Sequence, residues 1–249
     1  WATAILPYIE QQPLYDSFDW TEPMRHANNR EQRGTRVPVY ICPTDENSEV
    51  KFEGGPPSSQ GDNWARGNYA ANVGNGGMHG SETGGFLRYR NVGPNTEGWT
   101  HFRYRGVMGP NVASTIAQIT DGTSHTLMIA ELRAGINDGD PRGCWAFGHA
   151  GGNLVAWYGH SGDANGPNAC FYRADDISST RLDCEAETDY LESVCMPCFG
   201  PGAFDQATTR SSHIGGVFIA LTDGSVQFIS DDIETSGNYG ACCRPWDHL

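Results

Sequence analysis

The sequence predicts a β-rich α+β domain: an antiparallel sheet with short N-terminal helices and long glycine-rich loops. Three observations predict it. Apolar residues alternate with polar ones over short runs, as in strands that bury one face. Asp-Gly pairs stand between or beside such runs at Asp121-Gly122 and Asp223-Gly224, where a hairpin turn needs positive φ. The 249 residues include 32 Gly and only 18% charged side chains, a composition that favours turns and short strands over long helices. A single domain over 1–249, with a cysteine-rich insertion at about 160–210, accommodates this length.

Each element follows in order. Residues 2–18 carry Ile5, Leu6, Ile9, Leu14, Tyr15 and Phe18 at helical spacing, and Pro7 and Pro13 divide them into two short helical turns. "VPVYICP" at 37–43 reads as a short strand bounded by prolines. Residues 52–85 read as loop. "FLRYRN" at 86–91 and "HFRYRG" at 101–106 alternate and read as strands. Paired, they gather Arg88, Arg90, Arg103 and Arg105 into a candidate ligand-binding patch for an oxyanion, since guanidinium forks grip such groups bidentately. With nearby aromatics, the patch also suits an extracellular glycan. "IAQITDGTSHTLMIAE" at 116–131 reads as strand, turn, strand, and Glu131 closes it as either a buried acceptor or a ligand. At 217–229 a two-residue turn at Asp223-Gly224 pairs Leu221 with Val226. Val217, Ile219, Leu221, Val226 and Phe228 then share one core face. In that hairpin His213 lies far from the tip, so His213 and Asp223 form no catalytic pair. Asp223 forms a turn, and His213 reads as a strand-entry residue hydrogen-bonding a carboxylate or backbone, with a metal or catalytic role as the alternative.

The net charge of −14, with Lys51 the single lysine, excludes a phosphate-backbone partner and a polybasic membrane patch. No run is long and apolar enough to span a membrane. The eight cysteines, Cys42, Cys144, Cys170, Cys184, Cys195, Cys198, Cys242 and Cys243, read as disulfides formed in an oxidising compartment. Zinc held through Cys195 and Cys198 is the sharper alternative. "NDGD" at 137–140 and "GDANGPN" at 162–168 space Asp138, Asp140, Asp163 and Asn165 as candidate Ca²⁺ ligands, although neither completes an EF-hand loop. No nucleophile elbow, phosphate loop or zinc-protease helix occurs, so the expectation is a protein that is not an enzyme.

"His-x9-Asp-Gly" at 213–224, followed by Ser-Val-x-Phe-Ile, resembles the C-terminal signature of a bacterial family of prepilin-type secreted proteins. That family is abundant in planctomycetes and is also labelled extracellular solute-binding family 10. "WATAILPYIEQQPLYDSF" (1–18), "VPVYICPTD" (37–45), "NYAANVG" (68–74) and "ITDGTSHTLMIAE" (119–131) match its pattern in order. The resemblance implies a pilin-like head domain, export, and self-assembly or assembly with other pilin-like subunits at the cell surface. The family begins with a prepilin leader and a long apolar helix. The sequence opens on Trp1, without either, which reads as a trimmed, mature or partial form, with that helix as the only expected membrane link. The resemblance carries over no catalytic residue. The alternative it leaves is an extracellular solute- or glycan-binding module.

Overall fold

The computed structural model describes residues 1–54, 60–74, 92–93, 96–97, 106–109, 112–156, 166–171, 173–177, 182–199, 207–235 and 246. The chain starts with α1 (Ala2–Ile5), a 3-10 turn at Leu6–Ile9 that Pro7 initiates, and α2 (Gln12–Ser17). Glu10 ends the 3-10 turn in the left-handed region at φ 62°. Leu6 and Phe18 are buried beside Val37, Tyr40, Phe52, Trp64, Trp145 and Phe147 in an aromatic core. Two polar ties lock the N-terminus onto it: the Tyr40 hydroxyl donates to the Ala2 carbonyl at 2.7 Å, and the Trp1 indole donates to the Asn153 carbonyl at 2.8 Å. Residues 37–43 are not a strand. Pro38 fixes a helical φ and opens a 3-10 turn over Pro38–Tyr40. No helix among the described residues is long and apolar enough to cross a membrane.

The main sheet has five strands: β1 (Tyr69–Asn72), β2 (Leu127–Glu131), β3 (Leu154–Val155), β4 (Gly216–Leu221) and β5 (Val226–Ser230). Their order is β5-β4-β2-β1-β3, antiparallel except for β3, which runs parallel to β1. Its core face buries Ala70, Leu127, Ala130, Val155, Val217, Ile219 and Leu221 around Trp246. The fold is therefore α+β with short N-terminal helices, and its sheet is mixed. Two further readings of the sequence change. β1 lies inside the stretch read as loop. The run before Asp121-Gly122 is a 3-10 turn, Ile116–Gln118, closed by a reciprocal Thr115–Gln118 capping box.

The β4–β5 hairpin is one residue out of its expected register. Gly224 donates to the Leu221 carbonyl and Leu221 to the Ser225 carbonyl, so the loop holds Thr222, Asp223 and Gly224. Ala220 then faces Val226 and Phe218 faces Phe228. A slip of one residue exchanges the two faces of a strand. Val217, Ile219 and Leu221 stay in the core, while Val226 and Phe228 turn outward. Asp223 accepts from the Ser225 N–H and hydroxyl, and Gly224 sits at φ 84°. The tip docks on the other Asp-Gly loop, with the Thr222 and Asp223 amides donating to the Thr126 and Thr123 carbonyls.

A chain of buried charges joins the 140–142, 175 and 210 segments. Arg142 forks onto Asp140 at 2.8 Å and reaches Asp175 at 3.0 Å, and Arg210 meets the same Asp175 oxygen at 2.8 Å; all four side chains are 0% exposed. Burial alone pushes the Asp140 carboxyl up, but the Arg142 guanidinium and its hydrogen bonds outweigh this and hold it below the ordinary carboxylate range. Arg142 also donates to the Met196 and Pro197 carbonyls, and Arg210 to those of Ala169 and Cys195. The cysteine-rich stretch is thus held by arginines as well as by two disulfides, Cys170–Cys195 and Cys184–Cys198. These bridges take both sulfurs of the 195–198 pair and remove the zinc alternative there. Cys42 and Cys144 are buried free thiols, contrary to the expected bridges. Cys242 and Cys243 lie outside the described residues.

Replacing Gly224 by Val is expected to lower stability by about 1–2 kcal/mol in denaturant unfolding, from positive φ alone, because nothing lies within 4 Å of an added Cβ. Asp140→Asn is expected to cost about 3–5 kcal/mol by leaving Arg142 charged and partly unpaired in the interior. The Asp140 contribution is complete above the unfolded-state pKa of about 3.9 and is lost as pH falls through the lower folded value. Acid titration of stability in wild type against the variant measures it. Non-reducing peptide mapping is expected to recover the two bridges. It should leave Cys144 unlabelled in the folded protein near neutral pH, since burial pushes its thiol up to about 11.

Candidate functional site

The site forms where three distant segments meet at the end of β2. The first is the stretch after Tyr40. The Cys42 amide donates to the Asn68 side-chain oxygen at 2.8 Å. The Asn68 amide group donates in turn to Asp45 and to the Leu132 carbonyl. Asp45 also accepts the Ala134 N–H at 2.7 Å. These buried bonds fix the direction of Cys42 from behind.

Glu131, the last residue of β2, is 5% exposed. Its main-chain carbonyl accepts from the Arg210 N–H and the Thr209 hydroxyl. Its Oε2 accepts the Phe218 N–H at 2.8 Å, which turns Oε1 to the opposite side. There Oε1 lies 3.2 Å from His213 Nε2. His213 sits just before β4, with its amide on Ser211 Oγ and its ring edge-on to Phe218 at 5.2 Å. Cys42 Sγ is 3.8 Å from the same Nε2 and 3.0 Å from Thr44 Oγ1. One sulfur, one oxygen and one nitrogen therefore converge, all within 4.8 Å of one another. Tyr69 pairs with Glu131 across β1 and β2. Burial first, then the nearby Cys42 and Glu131, pushes its phenol above the ordinary range. A small recess beside the cluster is lined by Cys42, Asn68, Glu131, Arg133, Arg210 and Ser211.

Asp140 is at the centre of the buried charge chain, where its oxygens accept from Arg142 and from the Ile136 N–H, and Asp138 stands exposed. Ca²⁺ needs carboxylate oxygens turned to a common point, so the expectation of a calcium loop at Asp138 and Asp140 is dropped. Asp163, Asn165, Arg88, Arg90, Arg103 and Arg105 lie outside the described residues. Asp223 and Gly224 are at the hairpin tip, away from the cluster. The sequence singled out Glu131 and His213 but assigned Cys42 to a bridge and passed over Asp45 and Asn68. One signal was present. The cluster draws Cys42 and Asp45 from "VPVYICPTD", Asn68 and Tyr69 from "NYAANVG", Glu131 from "ITDGTSHTLMIAE" and His213 from the C-terminal signature. The stretches that carry the resemblance meet here.

A family model described as protein of unknown function (DUF1559), labelled SBP_bac_10, matches residues 1–236. No curated protein and no solved structure matches the chain. With the match running from the first helix through the hairpin and His213, the chain belongs to the DUF1559 family.

Proposed function

We propose that the protein is a non-catalytic, secreted, pilin-like subunit of an extracellular surface assembly, and that the outer edge of its sheet makes a lateral contact with a second copy. The observation that carries this reading is β5. Among the described residues it ends the sheet, and its residues Val226–Ser230 carry no charge and no proline. An open strand edge is a template for pairing, and soluble proteins guard it with Lys, Pro or a bulge. Here Val226 is 66% and Phe228 47% exposed, and Phe218 beside them is 40% exposed. The two Phe rings pack at 5.1 Å. Ile214, just ahead of β4, is 99% exposed. An apolar strip continuous with unpaired backbone donors and acceptors suits another strand better than a sugar, which needs polar partners. The pilin-like family resemblance and the two disulfides support export and surface assembly.

The test is Val226→Lys combined with Phe228→Lys in cells exporting the protein. Both side chains are exposed, so the melting temperature should change little. Wild type is expected in surface assemblies by cross-linking and electron microscopy, and the double variant as dispersed monomer. A variant that assembles like wild type, or a wild type that is monomeric at the surface, overturns the reading.

A further inference from the structure

We propose that Cys42 Sγ, Glu131 Oε1 and His213 Nε2 bind one zinc ion, with the fourth position taken by an oxygen ligand from the adjoining recess. This inference is independent of the assembly reading.

The donor geometry comes first. Tetrahedral zinc with bonds of about 2.0–2.3 Å places neighbouring sulfur, nitrogen and oxygen ligands about 3.4–3.6 Å apart. Here nitrogen and oxygen are 3.2 Å apart, and sulfur and nitrogen 3.8 Å. Sulfur and oxygen lie within 4.8 Å of one another, and side-chain rotations that close this gap bring all three onto one ion. The same distances argue against a thiol-hydrolase relay. In a relay the histidine turns one ring nitrogen to the nucleophile and the other to the acid. In this site sulfur and carboxylate both address Nε2, which is how ligands of one ion are placed.

The donor set then selects the metal. Ca²⁺ and Mg²⁺ take oxygen ligands, whereas thiolate, imidazole and carboxylate together suit borderline-soft zinc. The supporting shell is already in place. Phe218 N–H holds Oε2 so that Oε1 is presented, the Phe218 ring confines the imidazole, and Asn68 anchors the backbone of Cys42. On binding, the Cys42 S–H proton leaves to solvent, and the thiolate and carboxylate together neutralise the 2+ charge. Two further facts fit. Cys42 stays a free thiol in a chain that forms disulfides elsewhere, and ligation protects a thiol from oxidation. Among the described residues, Arg133 Nε and Arg210 Nη2 are buried without hydrogen-bond partners, and both residues line the recess, an environment for an oxygen ligand bearing negative charge.

The experiment uses the folded protein, stripped with chelator, and two probes, zinc chloride and cobalt chloride. Cobalt is expected to give the intense visible bands of a four-coordinate site and a thiolate-to-metal charge-transfer band, both erased by one equivalent of zinc. Zinc is expected to raise the melting temperature and to slow alkylation of Cys42, located by mass spectrometry, by about tenfold or more. Cys42→Ser should remove the charge-transfer band, and His213→Gln and Glu131→Gln should abolish stoichiometric binding. Wild type carries the decisive readouts should a variant fail to fold. Absence of the cobalt bands, equal Cys42 alkylation with and without zinc, or binding unchanged in a folded His213→Gln protein overturns the proposal.

Discussion

The arrangement of the whole molecule depends on four side chains that touch no water: Asp140, Arg142, Asp175 and Arg210. Charges removed from water are costly unless each is met, and here each is met. Arg142 joins Asp140 to Asp175, and Arg210 shares the second carboxylate. Arg142 Nη1 and Nη2 and Arg210 Nη1 also donate to carbonyls at 169 and 195–197, so the cysteine-rich stretch is located by the same charges. Arg210 also donates its backbone N–H to Glu131, and His213 follows three residues later. The position of the imidazole against the carboxylate is therefore inherited from an ion-pair chain that reaches the site only through Arg210, at the edge of the recess.

Arginine suits this work better than lysine, and the chain has a single lysine. A guanidinium offers five donors in a rigid fork and stays charged when buried. Arg66 uses that fork to take the carbonyls of Val50, Asn137, Asp140 and Arg142. Arg33 does the same for Met24, His26 and Asp62 while lying 4.8 Å over the Trp64 ring. Sequence pattern placed the arginines on exposed strand faces because alternation reports only the local pleat. Arg33 ends a single helical turn, Arg30–Arg33, and Arg66, Arg142 and Arg210 stand outside the helices and named strands, where carbonyls that no ladder takes up must be satisfied somehow.

Much of the fold was legible. The N-terminal turns, β2 and the β4–β5 hairpin followed from apolar spacing, proline and Asp-Gly. The register was missed by one residue because Asp-Gly suits both a two-residue and a three-residue loop, and only the docking of Thr222 and Asp223 on the 123–126 loop distinguishes them. β1 was missed because Tyr69–Asn72 is short and rich in alanine and asparagine, so its strand character comes from its neighbours. At the site, Glu131 and His213 stood out as residue types. Cys42 did not, since an even cysteine count favours pairing throughout. Which of positions 42, 131 and 213 meet is a tertiary fact with no local periodicity to report it.

The two disulfides cross: Cys170 joins Cys195, and Cys184, inside that loop, joins Cys198 beyond it. A peptide bond broken between 170 and 184 leaves its two sides joined through the first bridge. One broken between 195 and 198 leaves them joined through the second, and one between 184 and 195 leaves both holding. A single proteolytic nick anywhere in this stretch therefore releases no fragment, and the carbonyls gripped by Arg142 and Arg210 stay tethered where the site needs them.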